Sequence, residues 1–454
     1  MPKTNKTHCD SIGIKTHLFP NGFRLIHQES CSKLPVSFMR IFCDIGSAYE
    51  RDDIRGSSHF IEHMIYKGTK RHKDRMKIFL EFDSIGAEIN ATTDKRYTFY
   101  QVDCQDDYIF SCANLMSDML LHSTFDRNEY KKERMVVIEE NIQDINDTMR
   151  MIYDKMDELM YAGTSYSQPV DSDKYHIKDD LKYDTILDIY HQFYHVDRMI
   201  MSIVTNIPFE TFIRILNKTL FVKDKIPCSP KYSINKNLKT QSEIQYCLEK
   251  RVGEKSSYLA IGFRACNFYS DDKHILYLLS CILSGPLSSR MVMLLREDNA
   301  LTYSTDVGVD FNDAGGEIVF YAVSDPDKIL TRGKTKGVLP LIIGLLNELI
   351  KNGVTEHEIE KTKGYLRGSM ITNKEDGGFL AEFNGEEYLY RKNDDSKIVP
   401  YNKIYDTFLD KITKKQIDDI IHKYFCKEGM NVCIISETLP KRSSVEKECE
   451  KLSH

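Results

Sequence analysis

Five residues, His59-Phe60-Ile61-Glu62-His63, hold the densest chemistry in the chain. On a helix, positions four apart share a face, so His59 and His63 can aim two imidazole nitrogens at one metal ion. Glu62, one residue before the second histidine, stands where a carboxylate could hold and deprotonate a metal-bound water, whose pKa zinc lowers to about 7. The order reverses HExxH and matches the inverted zinc motif HxxEH. A site of this kind needs a third protein ligand. Further along, Glu133, Glu140, Asp147 and Asp154 recur every seven residues. They lie on a segment where Met135, Ile138, Ile142, Ile145, Met149, Ile152, Met156 and Leu159 alternate three- and four-residue steps. That pattern predicts one long amphipathic helix with these apolar residues on its core face. Glu140, two residues past Ile138, lies about 200° round such a helix and away from that face. A row of acids usually means a solvated surface. With HxxEH in the same domain, a metal-binding carboxylate is the better reading.

These residues need elements to position them. Ser57 or Ser58 can cap a helix that Gly68 ends, and HxxEH lies on it. Gly22-Phe-Arg-Leu-Ile and Val36-Ser-Phe-Met-Arg-Ile-Phe alternate as strands do. Ile109, Cys112, Met116, Met119 and Leu120 mark one face of another helix. Strands and helices mix without a regular βαβ alternation, which predicts an α+β fold. A repeat organises them. Residues 186–208 superpose on 417–439 at an offset of 231, so that Ile186 meets Ile417, Ile189 meets Ile420, His191 meets His422 and Met199 meets Met430. A second match aligns Glu129, Lys132 and Arg134 with Glu358, Lys361 and Lys363. The expected organisation is two homologous domains at 1–221 and 246–440. A polar, Lys-rich linker at 222–245 would join them, and a loose charged tail would follow at 441–454.

Composition removes other classes. The 454 residues carry 62 basic and 68 acidic side chains, a net charge of -6, so no global basic field recruits nucleic acid or anionic lipid. The apolar stretch Val338–Ile350 is too short to span a bilayer and contains Pro340 and Asn347. Neither a secretion signal nor an Arg-rich presequence is readable at the N-terminus. Twelve cysteines without a CxxC pair predict reduced thiols and a cytoplasmic setting, with the mitochondrial matrix as the alternative.

The segments GSSHFIEHMIYKGTK, IGAEINATTDKRYTFY and FDRNEYKKERMVVIEE, in this order, resemble the pitrilysin/insulinase family of zinc peptidases. The likeness is greatest to its short members, the mitochondrial processing peptidase β subunits and their bacterial relatives. The resemblance implies two homologous domains, each a mainly antiparallel sheet flanked by helices, together half of a clamshell. It also implies that Glu140, with 76 residues between it and His63, is the third zinc ligand, and that Glu133 supports the ligands from behind. Asn90 and Ala91 would pair with the substrate backbone as an added strand. In SGPLSSRMVMLLREDNALTYS, Arg296 and Tyr303 would reach the substrate and the developing oxyanion. The second copy has Thr362 and Ser369 where Glu133 and Glu140 stand in the first, and no HxxEH, which implies one zinc per chain. The expected function is a zinc endopeptidase acting on peptides or unfolded segments enclosed in a chamber. It would work as a homodimer or beside a homologous subunit, and the alternative is a non-catalytic scaffold of the same family. One feature departs from the presequence-cleaving relatives. Where they keep two acids to read an arginine, this chain has Arg150 and Asp154.

Overall fold

The alternating apolar segments pair into two sheets with one plan. The computed structural model describes residues 13–171, 177, 181–224, 231–392 and 394–453. In the first sheet the strands are β1 (Ile14–Leu18), β2 (Arg24–Glu29), β3 (Val36–Cys43), β4 (Glu88–Thr93), β5 (Thr98–Gln105) and β6 (Met199–Thr205). Their order is β1-β2-β6-β3-β5-β4. Every pairing is antiparallel except β2 with β6. The second sheet contains β7 (Gln245–Lys250), β8 (Ser257–Ala265), β9 (Thr302–Phe311), β10 (Gly316–Ser324) and β11 (Met430–Ser436). Its order is β7-β11-β8-β10-β9, again with one parallel pair, β7 with β11. The central strands β6 and β11 begin at Met199 and Met430 and are buried along their whole length, as β-branched runs between two neighbours should be. The expected α+β class and the two homologous, mainly antiparallel sheets flanked by helices are what the fold shows.

Six helices bear on the site, the sheets, the repeat or the end of the chain. They are α1 (Ser57–Ile65), α2 (Arg127–Asn146), α3 (Thr148–Met160), α4 (Glu356–Asn373), α5 (Gly377–Arg391) and α6 (Arg442–Cys449). The expected single helix through residues 135–159 is in fact two. The Asp147 carboxylate accepts hydrogen bonds from the Met149 and Arg150 amides at 2.8 and 3.3 Å, so it caps α3 and stops α2. The expected core face holds only in part: Ile138, Ile152 and Met156 are buried and Ile142 packs against the core. Met135 and Ile145 on α2 are exposed, whereas Tyr130, Glu133, Val137, Ile138 and Asn141 are buried.

Packing divides the chain differently from the repeat. One unit comprises residues 1–143, 169–234 and 369–405; the other comprises 144–168, 235–368 and 406–454. Helix α5, from the second repeat, therefore belongs to the first unit, where it lies on β2, β3 and β6. Helix α3, from the first repeat, belongs to the second unit and lies on β7, β8 and β11. The expected boundary at 221 follows the duplication, not the packed units. The expected loose tail is also corrected: α6 buries Val445 and Cys449, and Leu452 follows them into the interior. Part of the expected linker, 225–230, lies outside the described residues. Among the described residues nine cysteines are free thiols, and Cys31 is disulfide-bonded. Among the described residues no single helix is long and apolar enough to cross a membrane.

Candidate metal centre

Helix α1 is preceded by Gly56, whose φ of +80° suits glycine and whose lack of a side chain leaves the first turn without a cap of its own. Glu50 supplies one from upstream. Its carboxylate accepts the Gly56 and Ser58 amides, both at 2.6 Å, and the Ser57 hydroxyl at 3.1 Å. Phe60, Ile61, Met64 and Ile65 then bury the core face of α1, which turns His59 and His63 toward α2.

The two Nε2 atoms come within 3.1 Å of each other. Glu140 Oε2 lies 3.2 Å from His63 Nε2 and 3.9 Å from His59 Nε2. Ligands about 2.0 Å from a tetrahedral zinc stand about 3.3 Å apart, so three such atoms surround a space of the right size. Among the described residues no other group of three His, Cys, Asp or Glu gathers its ligand atoms this closely.

Each histidine is held from its far side. The Nδ1–H of His63 donates to Glu133 Oε1 at 2.9 Å, and Lys67 Nζ donates to the other oxygen at 2.7 Å. Burial works against the Glu133 charge, but the bonds from His63 and Lys67 outweigh it and hold the carboxyl below its ordinary range. His59 Nδ1 lies 2.6 Å from Asp171 Oδ1. Burial alone would lower the His59 pKa. The hydrogen bond and charge of Asp171, with the charges of Glu62 and Glu140, overcome it and push the pKa up to about 9. The pocket thus favours positive charge, as a cation site must. Glu62 Oε2 accepts the Thr93 hydroxyl of β4 at 2.5 Å, which fixes the carboxylate beside the histidines.

Asn90 and Ala91 lie on β4, the outer strand, which among the described residues pairs with β5 alone. The Ala91 amide is taken by the Asn90 side chain at 2.9 Å, at an exposed position. Arg296 and Tyr303 belong to the other unit. Arg296 sits in a π-helical turn, Val292–Glu297, a form often found at functional positions. Tyr303, on β9, is two-thirds exposed and donates its hydroxyl to Asp325 at 2.6 Å. The structure therefore brings together His59, Glu62, His63, Glu133 and Glu140 in one unit. Sequence reasoning passed over Lys67, Thr93, Glu50 and Asp171. Lys67 alone had a signal, four residues beyond His63 in a segment read as helical up to Gly68, although it stands just past the end of α1.

Known proteins resemble the chain over most of its length. Residues 26–174 match the family described as Insulinase (Peptidase family M16), and residues 180–366 match the Peptidase M16 inactive domain. The chain is 27% identical over 381 residues to the uncharacterized zinc protease YmxG of Bacillus subtilis, covering 83% of this chain and 88% of that one. It is 31% identical over 151 residues to the β subunit of the mitochondrial-processing peptidase of Caenorhabditis elegans, about a third of each chain. A protease from Helicobacter pylori shares the fold, with a TM-score of 0.83 at 18% identity over 94% of this chain and 99% of that one.

Proposed function

The chain belongs to the insulinase family, peptidase family M16, and from that premise we propose that it is a zinc-dependent endopeptidase acting on peptides or unfolded protein segments. The observation that carries this reading is the convergence of His59 Nε2, His63 Nε2 and Glu140 Oε2 on one space with Glu62 beside it. Those three would hold one zinc per chain. The ion, when bound, supplies Lewis acidity and a water with a pKa near about 7. Glu62, oriented by Thr93, takes the proton from the attacking water and passes it to the leaving amine. The outer edge of β4 at Asn90 and Ala91 binds the substrate backbone by hydrogen bonds that ignore side chains, so many sequences are accepted. Arg296 and Tyr303 would donate to the substrate carbonyl as negative charge develops there.

Arg150 is paired with Asp144 at 3.1 Å and offers no acid to a substrate arginine, so the proposed activity is general peptide hydrolysis and not presequence removal. A chamber closed by a second copy, or by a homologous subunit, would enclose the substrate. Size-exclusion chromatography with light scattering tests that assembly, and a fully active monomer would refute it. We place the protein in the cytoplasm on its free thiols, with the Cys31 disulfide weighing the other way. The decisive experiment measures zinc content and cleavage of a quenched fluorescent peptide by wild type and Glu62→Gln. The variant should keep one zinc per chain and lose about 10²–10⁴-fold in rate. Wild type without stoichiometric zinc, or a variant with full cleavage, would overturn the proposal.

A further inference from the structure

We propose that Asp171 is a positioning residue for the metal, acting through the Nδ1–H of His59. The inference rests on the zinc-site reading above and adds to it a residue that no motif marks. The two histidines of α1 are treated alike. His63 places Nδ1 against Glu133 at 2.9 Å, and His59 places Nδ1 against Asp171 at 2.6 Å. Both rings are thereby fixed with Nε2 turned inward, and the two Nε2 atoms stand 3.1 Å apart. A carboxylate on one imidazole nitrogen selects the tautomer whose other nitrogen carries the lone pair, and it makes that nitrogen a stronger donor to a metal.

The two carboxylates arrive by different routes. Glu133 stands on α2, one side of its charge spent on Lys67 at 2.7 Å. Asp171 comes from the segment that starts at Pro169, where the chain re-enters the first unit after α3. Its side chain is only 12% exposed, so its charge acts on His59 with little screening by water. The re-entry of the chain is thus tied to the metal helix through the ion pair of Asp171 with His59. His59 without it would be free to rotate or to present the wrong tautomer.

The test compares wild type, Asp171→Asn and Asp171→Ala as metal-free proteins. Zinc affinity is read by competition with a chromogenic chelator, and the fold by thermal unfolding without metal. Removing a carboxylate behind a ligand histidine weakens metal binding by about 10–100-fold, and that loss is expected for Asp171→Ala. Asp171→Asn should fall between, because its amide oxygen still accepts the Nδ1–H but brings no charge. Unfolding of the metal-free variants should match wild type. A zinc affinity unchanged in Asp171→Ala while wild type binds zinc would sink this inference and leave the metal site standing. So would a metal-free variant that melts early in proportion to its loss of zinc, which would mark a structural role. Wild type that holds no zinc would overturn the metal reading itself and this inference with it.

Discussion

At the scale of single residues, the metal helix depends on a carboxylate outside it. Gly56 has no side chain to cap α1, and the donors of the first turn, with the Ser57 hydroxyl, are gathered by Glu50. Glu50→Ala would leave these partly buried donors without an acceptor, a loss of about 1–3 kcal/mol. Glu50→Gln keeps one acceptor oxygen and should lose less. The expected outcome is a lower midpoint of denaturant unfolding for Glu50→Ala, with Glu50→Gln between it and wild type. Equal midpoints for all three would show that water replaces the cap. Glu50 also marks where reading a sequence stops. HxxEH was legible because helix geometry couples positions four apart, and Glu140 was singled out from its row of acids by the family resemblance. Asp171 and Glu50 reach the site from loops, where no periodicity ties a position to a direction. Only folded coordinates place them.

At the scale of elements, α4 shows how a helix start fixes a neighbouring segment. The Thr355 hydroxyl accepts the Glu358 amide at 3.2 Å, and the Glu358 carboxylate accepts the Thr355 amide at 2.8 Å, a reciprocal capping box. Arg290 closes on the same carboxylate with two bonds, at 2.6 and 2.8 Å, and so pins the segment leading into the π-turn that carries Arg296. Burial opposes the Glu358 charge, but Arg290 and Thr355 prevail and hold its pKa down to about 2. A lowered carboxylate pKa stabilises the fold fully above the unfolded value of about 4.3, and this stability drains away as pH falls toward 2. Arg290→Ala should therefore lower thermal stability at pH 7 by about 1 kcal/mol, after discounting for solvent screening. It should also flatten the decline between pH 4 and 2. Circular dichroism melts across that range check both; a variant with the wild-type slope would show that Arg290 does not set the Glu358 charge. Helices α2 and α3 teach the opposite lesson. Their apolar residues read as one stripe, yet Asp147 breaks the run and α2 turns Glu133 and Asn141 inward. A helix that serves a site buries polar groups which periodicity assigns to solvent.

At the scale of the whole molecule, the duplicated chain does not yield two separable domains, because each repeat supplies a helix to the other's sheet. On the first sheet, α5 covers Ile26, Phe42, Tyr97, Phe99 and Ile200 with Tyr388 and Leu389. It approaches so closely that a Cβ on Gly385 would fall 2.1 Å from the Phe42 ring. Two polar ties seal the contact, Asn384 to Gln28 at 2.8 Å and Lys392 to Asp44 at 2.6 Å. The repeat legible in the sequence gave no hint of this exchange, since two copies that trade equivalent helices keep the same pattern as two that do not. The energetic consequence is large. Each fully buried large apolar side chain contributes about 1.5–3 kcal/mol, so uncovering five of them forfeits an amount comparable to the whole stability of a domain, about 5–15 kcal/mol. A fragment of residues 1–234 contains every candidate zinc ligand but lacks α5, and it should not fold alone. Expressed by itself it should be insoluble, or bind a hydrophobic dye, and hold no stoichiometric zinc. Co-expressed with residues 235–454 it should return to a soluble complex with one zinc per pair, because α5 and α3 then cross back to their sheets. A soluble 1–234 fragment that binds zinc as tightly as the intact chain would show that the first repeat is self-sufficient and that α5 is dispensable to the metal centre.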